Sequence, residues 1–236
     1  MSLPKIDVPI YELTLPSTEQ LVQYRPFLVK EEKVLMMAAE SKDDKDMINA
    51  VKQIINNCCL TEEIKIDSLS SFDLEYFFIQ LRARSSGETV SLLYPCEKES
   101  CKEDIPFDVD LTKVEVFKNP DHTTKVELTD DIGIVMKYPQ LRSIGKINSD
   151  SEVESTFQMI IDCIDYIYDD EEIHKAKDAT KKELREWIEG LSQENFIKVR
   201  NFFETMPKVK YDVELKCGKC KTVNKIEIEG MNSFFG

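Results

Sequence analysis

The apolar positions early in the chain recur at helical spacing. In KDMINAVKQIINNCCL they return every three or four residues, which predicts one buried stripe along a helix. SFDLEYFFIQLRARSSG repeats this pattern, and FLVKEEKVLMMAAES is rich in good helix formers. We therefore predict a helical region over residues 25–87, after an extended, proline-interrupted arm over residues 1–24. Within the arm, Ser17 and Thr18 before Glu19 and Gln20 also predict a helix start.

The period changes after residue 87. Short alternating segments such as ETVSLLYPC, DIPFDVDL and IGIVMKYP predict a β-rich region over residues 88–140. Helical patterns return over residues 141–207, where Ser151 and Thr180 each precede a glutamate by three residues, and the first stripe continues to Ile164 and Ile167.

Residues 208–236 show two alternating segments around a cysteine turn, followed by an aromatic tail. The whole pattern predicts an α+β fold. Helical N-terminal and C-terminal parts surround a small β-rich, zinc-ribbon-like region, and we expect residues 208–236 to form one compact domain with residues 88–140.

The charge of the chain narrows the classes of partner. The formal net charge is −14, and no block of basic residues is present. Binding to nucleic acid or to an anionic membrane needs clustered lysine and arginine, so neither is expected. The N-terminus lacks the pattern of a secretory signal, and no apolar run approaches the ~18 residues of a membrane span. We expect a soluble protein made in a cytosol, where cysteines stay reduced.

Two close cysteine pairs carry the most specific chemistry. Cys217 and Cys220 lie between two predicted strands, and so do Cys96 and Cys101. Two such hairpins, if they meet, complete a tetrahedral four-cysteine site for one structural Zn²⁺. The alternative is that the hairpins do not meet and the thiols are free. A redox pair is disfavoured because such a pair usually opens a helix.

The remaining cysteines and the histidines have plainer interpretations. Cys58, Cys59 and Cys163 are expected to be buried and to act as small apolar residues. His122 lies in a predicted turn and His174 in a charged connector, so both are expected to be solvated and not to be ligands.

No catalytic motif is present. The sequence has neither a phosphate-binding glycine loop nor a nucleophile elbow. The acidic run DDEE at residues 169–172 is expected to be a solvated connector. We therefore expect no enzymatic activity and no small-molecule substrate.

The two ends of the chain resemble a known family. LPST and YRPFLVKEEK between Leu15 and Lys33, followed by AES, resemble the N-terminal signature of the T4-like bacteriophage baseplate hub protein family. FFETMPKVKYDVELKCGKC and the closing GMNSFF resemble the family's C-terminal pattern. The resemblance implies a tail-morphogenesis protein that forms part of the baseplate hub or assists its assembly, without catalysis. It implies binding to other baseplate hub and tail proteins in the host cytosol, with the virion baseplate as a further location.

The resemblance gives two segments a candidate role in partner binding. The first is a polar docking rim with one apolar anchor, made of Arg25, Phe27, Lys30, Glu31, Glu32 and Lys33. The alternative is that this helix start packs on its own core. The second is the terminal pair Phe234 and Phe235, which either folds back or anchors a partner. The competing function is a zinc-ribbon accessory protein of phage transcription or replication, which the net charge disfavours.

Overall fold

The structure, a computed structural model, describes residues 6–140, 151–230 and 233, apart from the side chains of Asp44 and Glu152. The chain forms two compact units. The first joins Met1–Phe117 to Lys208–Gly236, and the second is Lys118–Pro207. The second unit thus begins inside the stretch predicted as β-rich.

The helices and strands follow one another through both units. Among the described residues, the helices are α1 (Val29–Ser41), α2 (Asp44–Cys58), α3 (Ser71–Ser86), α4 (Glu152–Asp162), α5 (Lys181–Glu189) and α6 (Gln193–Thr205). The strands are β1 (Tyr11–Thr14), β2 (Leu21–Tyr24), β3 (Thr89–Pro95), β4 (Asp104–Asp110), β5 (Glu115–Phe117), β6 (Lys125–Glu127), β7 (Gly133–Met136), β8 (Ile164–Tyr168), β9 (Ile173–Lys175), β10 (Lys208–Lys216) and β11 (Val223–Glu229). This mixture of helices and antiparallel sheets agrees with the predicted α+β class.

The first unit packs its helices against short antiparallel sheets. Strands β1 and β2 form a hairpin, β3 and β4 form a second, and the third sheet has the order β11–β10–β5. The stripes predicted on α2 and α3 form its core, where Val51, Ile54, Ile55, Phe77 and Leu81 are fully buried. The helical periodicity therefore predicted this core correctly.

The helix start predicted at Ser17 is wrong. The chain turns there and continues as β2. The Ser17 backbone N–H donates to Asp73 Oδ1 at 2.9 Å, and the Ser17 hydroxyl donates to the other carboxylate oxygen. Asp73, in the first turn of α3, is fully buried. Ser17 lies in the turn between β1 and β2, and this long-range contact holds it there. The same contact joins the N-terminal hairpin to α3.

In its described residues, 118–140 and 151–207, the second unit packs helices α4, α5 and α6 on a four-stranded antiparallel sheet of order β6–β7–β8–β9. Its core includes Ile134, Met136, Ile164, Val199 and Phe202. The capping residues Ser151 and Thr180 accept hydrogen bonds from the backbone N–H groups three residues on, as predicted.

The helix predicted to continue through Ile164 and Ile167 is shorter than expected. It ends at Asp162, and the next residues form strand β8, paired with β7. Ile164, Tyr166, Ile167 and Tyr168 are β-branched or aromatic residues, which favour strands. The three-residue step from Ile164 to Ile167 also fits a helix. Pairing with β7 therefore decides between helix and strand.

Candidate metal centre

The four cysteines of the two predicted knuckles lie at the ends of two hairpins. Cys96 directly follows β3, and Cys101 lies in the turn that leads to β4. Cys217 directly follows β10, and Cys220 lies in the turn that leads to β11. Strand pairing therefore fixes both ends of each knuckle.

The two knuckles close with the same backbone device. The Cys96 N–H donates to Glu103 C=O at 2.8 Å, and the Cys217 N–H donates to Thr222 C=O at 2.9 Å. The residue directly after the second cysteine is left-handed in both turns, with φ of 49° at Lys102 and 61° at Lys221. This rare conformation turns the chain back sharply, so both turns bend around their cysteine pair.

The knuckles meet through their sulfur atoms. Cys96 Sγ lies 3.6 Å from Cys220 Sγ, and Cys101 Sγ lies 3.8 Å from Cys217 Sγ. All four sulfurs lie within 4.8 Å of one another. Disulfides need about 2.05 Å, and all four cysteines are free. A tetrahedral ion with metal–sulfur bonds of about 2.3 Å places its sulfurs about 3.8 Å apart, so the cluster can hold one metal ion. The hairpins do meet, contrary to the alternative.

Burial makes this a closed cluster. Cys217 is fully buried and Cys96 is 6% exposed, while Cys101 and Cys220 are partly covered. Ile105 and Leu215 pack against the sulfurs. Four protein ligands leave no open position for substrate, which is typical of structural metal sites. No other cluster of this kind occurs in the described ranges.

The thiols of the cluster differ in acidity. The Thr222 hydroxyl lies 3.2 Å from Cys220 Sγ. This contact and the Thr222 backbone N–H lower the pKa of Cys220 to about 6. Burial, by contrast, raises the pKa of Cys101 to about 11. A metal ion that binds all four as thiolates would therefore displace protons chiefly from the less acidic sites.

A buried asparagine missed by the sequence analysis joins the two hairpins. Asn224 in β11 is fully buried. Its Oδ1 accepts the Glu97 N–H at 2.8 Å, and its Nδ2 donates to Leu215 C=O at 3.2 Å and to Thr222 C=O at 3.1 Å. The sequence does carry a signal for it, because Asn224 alternates with Ile226 and Ile228 in VNKIEIE and therefore lies on the same buried face of the strand. A polar residue on the inward face of a strand needs partners.

Two of the remaining three cysteines are buried as predicted, and the third is only partly buried. Cys58 and Cys163 are fully or almost fully buried, and Cys59 is partly buried. Burial raises the pKa of Cys58 to about 11 and that of Cys163 to about 12. These thiols therefore behave as small apolar groups.

The histidines differ from each other. His174 is about half exposed beside Asp169 and Glu172, as expected of a solvated residue. His122 is less solvated than predicted, because its ring is half buried and stacks on Tyr138. Its ring nitrogens lie 3.0 Å from Thr205 Oγ1 and 3.1 Å from Tyr138 Oη. Burial lowers the pKa of His122.

The structure divides the proposed docking rim into interior and surface residues. Phe27 is 9% exposed and Glu31 only 1%. Arg25 Nη2 donates to Glu31 Oε1 at 3.0 Å and to Asn57 C=O at 3.0 Å. These contacts tie the start of α1 to the end of α2.

The remaining rim residues, Lys30, Glu32 and Lys33, are exposed. Val29, Met36 and Met37, which the sequence analysis did not select, are at least 60% exposed on the same helix. Phe234 and Phe235 lie outside the described residues.

Of the comparisons with known proteins, the one with protein families gives a match. No curated protein and no solved structure matches the chain. No helix in the described ranges has the length and apolar character needed to cross a membrane. A family model described as T4 bacteriophage base plate protein matches residues 8–236. The resemblance found in the sequence is thereby confirmed, and the chain belongs to the family of T4 bacteriophage base plate proteins.

Proposed function

We propose that the protein is a component of the baseplate hub or a factor that assembles it, and that it acts by binding other hub and tail proteins. The family match over residues 8–236 carries this proposal, because it supports a place in the baseplate. The proposed sites of action are the host cytosol during assembly and the tail of the virion. Catalysis, a small-molecule substrate and nucleic-acid binding form no part of the proposal.

We further propose that the four-cysteine cluster holds one structural Zn²⁺ in a zinc-ribbon-like arrangement. The support is the donor set of four sulfurs, their mutual distances of at most 4.8 Å and the burial of the cluster. The ion would stabilise the fold by fastening the β3–β4 hairpin to the β10–β11 hairpin. The chain's own residues position the sulfurs through strand pairing and the left-handed turns.

The proposed docking region is the exposed side of α1 and the residues before it. Lys30, Glu32 and Lys33 supply charge at the surface, whereas Arg25, Phe27 and Glu31 fix the helix on its core. Val29, Met36 and Met37 add apolar area beside the charges. Phe234 and Phe235 remain a proposed second anchor for a partner.

Virion composition and infected-cell extracts test the hub proposal. Mass spectrometry of purified baseplates that finds the protein would support the component role. Finding it only in infected cells, bound to hub proteins, would support the assembly role. If deletion of its gene leaves tails intact and the protein contacts no tail protein, the proposal fails.

The cysteine cluster also favours a second candidate, an accessory protein of phage transcription or replication. The net charge of −14 opposes it, since contacts to phosphate need basic groups. A mobility shift of DNA or RNA with steep salt dependence would support this candidate. The absence of a shift at low salt would remove it.

A further inference from the structure

A groove of about 470 Å³ lies in the second unit between strand β6 and helix α6. Its strand side is lined by Asp121, Thr123, Lys125, Val126 and Glu127. The helix side is formed by Lys198, Asn201, Phe202 and Thr205, whose steps of three and four place them on one face of α6. The groove therefore has a β-strand along one wall and a single helix face along the other.

The strand wall of the groove is the outer edge of a sheet, because β6 is the first strand in the order β6–β7–β8–β9. Met136 N–H donates to Thr124 C=O at 2.8 Å, and Leu128 N–H donates to Ile132 C=O at 3.0 Å. Hydrogen bonding alternates along an antiparallel pair. Thr124 and Leu128 are bonded positions, so Lys125 and Glu127, at odd steps from them, are not. The backbone N–H and C=O of Lys125 and Glu127 therefore point away from β7.

The outward backbone groups are available for pairing. Within the described residues, the backbone N–H and C=O of Glu127 have no partner. At Lys125 one side chain occupies these groups, because the Thr123 hydroxyl accepts the N–H at 3.1 Å and donates to the C=O at 3.3 Å. A partner strand would replace this hydroxyl. From Thr123 to Glu127 the edge is about 14 Å long, enough for about four residues of an extended peptide.

Lys198 supplies a charge at this edge. Its Nζ donates to Leu128 C=O at 2.9 Å, and its side chain is partly buried. Among the described residues Lys198 forms no ion pair, and Glu127 on the strand wall pairs with Lys125 at 3.2 Å. An ammonium has three donors. The spare donors of Lys198 favour an anionic group in the groove.

We propose that this groove binds an extended segment of a partner protein, which pairs with the outer edge of β6 and places an aspartate or glutamate carboxylate on Lys198 Nζ. Strand addition supplies the affinity through backbone hydrogen bonds, and the carboxylate sets the register. The inference rests on the proposed protein-binding function and names one surface for it. The occupant is extended because only an extended chain can use the outward N–H and C=O groups of the strand.

Selection from a random twelve-residue peptide library, with the full-length protein as bait, tests this inference. We expect enriched peptides that share an acidic residue. Glu127→Pro removes the outward N–H without breaking the bonds to β7, and should abolish binding. The matched control is Glu227→Pro, because Glu227 occupies an outward position on β11, the outer strand of another sheet, and also pairs with a lysine. It should leave binding unchanged.

Two further variants test the helix side of the groove. Lys198→Met keeps the aliphatic stem and should weaken an enriched peptide about tenfold by fluorescence anisotropy, because a charge-assisted hydrogen bond is lost. Asn201→Trp fills the groove from the exposed helix face and should also block binding. No enrichment, or enriched peptides that bind Glu127→Pro as well as wild type, would overturn the inference.

Co-purification from infected cells distinguishes this inference from the proposed function. If Glu127→Pro and Asn201→Trp retain every hub partner of the wild-type protein, the groove assignment fails and the protein-binding function stands. If the wild-type protein recovers no tail protein and deletion of its gene leaves tails intact, the proposed function fails. Peptide selection then still decides whether the groove binds an extended chain.

Discussion

Asn224 and Glu97 join the two cysteine hairpins through one partly buried hydrogen bond, in which the Glu97 N–H donates to Asn224 Oδ1 at 2.8 Å. Asn224 also bonds two carbonyl oxygens of its own hairpin. Its amide group therefore satisfies backbone groups on both sides of the contact. The cysteine cluster is supported by this polar contact as well as by its sulfurs.

Replacing Asn224 should destabilise the first unit. Asn224→Ala leaves the Glu97 N–H and two carbonyl oxygens without this partner. The cost is at most about 1–3 kcal/mol per group left unsatisfied and is smaller where water can reach the group. Urea unfolding followed by circular dichroism measures the loss. Asn56→Ala, on the exposed side of α2, is the control and should change stability little. Equal effects of the two substitutions would contradict the bridging role.

The purified protein should contain about one zinc ion per chain, and chelation should lower its melting temperature. Cys217→Ser should lose the ion, whereas Cys59→Ser, outside the cluster, should keep it. Elemental analysis and thermal unfolding provide the measurements. Less than about 0.2 zinc per chain, in protein prepared without chelators, would contradict the metal proposal.

Acid should weaken the contact between Arg25 and Glu31. Burial alone would raise the pKa of Glu31, but hydrogen bonds from Arg25 and the Leu28 N–H outweigh it and lower the pKa below its ordinary value. The stabilisation is therefore complete above the unfolded pKa of about 4.3 and is lost as pH falls through the lower folded pKa.

Glu31→Gln isolates this contribution. Its stability deficit against wild type, measured by urea unfolding, should be largest near neutral pH and should shrink as pH falls below about 4. Glu32→Gln, at the exposed neighbouring position, should follow the wild-type curve. A deficit for Glu31→Gln that stays constant with pH would show that ionisation of Glu31 does not contribute.

Gly133 should tolerate no side chain. A Cβ at this position would overlap the Tyr168 ring, which packs over the glycine from the neighbouring strand. Gly133→Ala should cost about 1–3 kcal/mol, the usual penalty for overpacking. Gly218→Ala is the control because its Cβ would meet no atom within 4 Å. A Gly133→Ala protein as stable as wild type would show that Tyr168 moves freely aside.

The sequence predicted those features that depend on local periodicity and spacing. The stripes of α2 and α3, the capping residues Ser151 and Thr180, and the cysteine hairpins all follow from residues close to one another in the chain. Local pattern could not show that Cys101 and Cys217 meet, because 116 positions separate them.

The features that were missed depend on contacts with distant residues. Ser17 forms a turn because Asp73 binds it, and Ile164 lies in a strand because β7 pairs with it. His122 is half buried because Tyr138 and Phe202 pack on it. In each case the local sequence fits two conformations, and the tertiary partner selects one.

The division of the first unit into two chain segments has a consequence for the order of events during synthesis. Phe117, where its first segment ends, pairs with Lys208, where its second begins. At about 5–20 residues per second, the ribosome needs several seconds to add the intervening stretch. During that time Cys96 and Cys101 are already synthesised, but Cys217 and Cys220 do not yet exist. The contiguous second unit can therefore fold while the first unit still lacks half of its cysteine cluster.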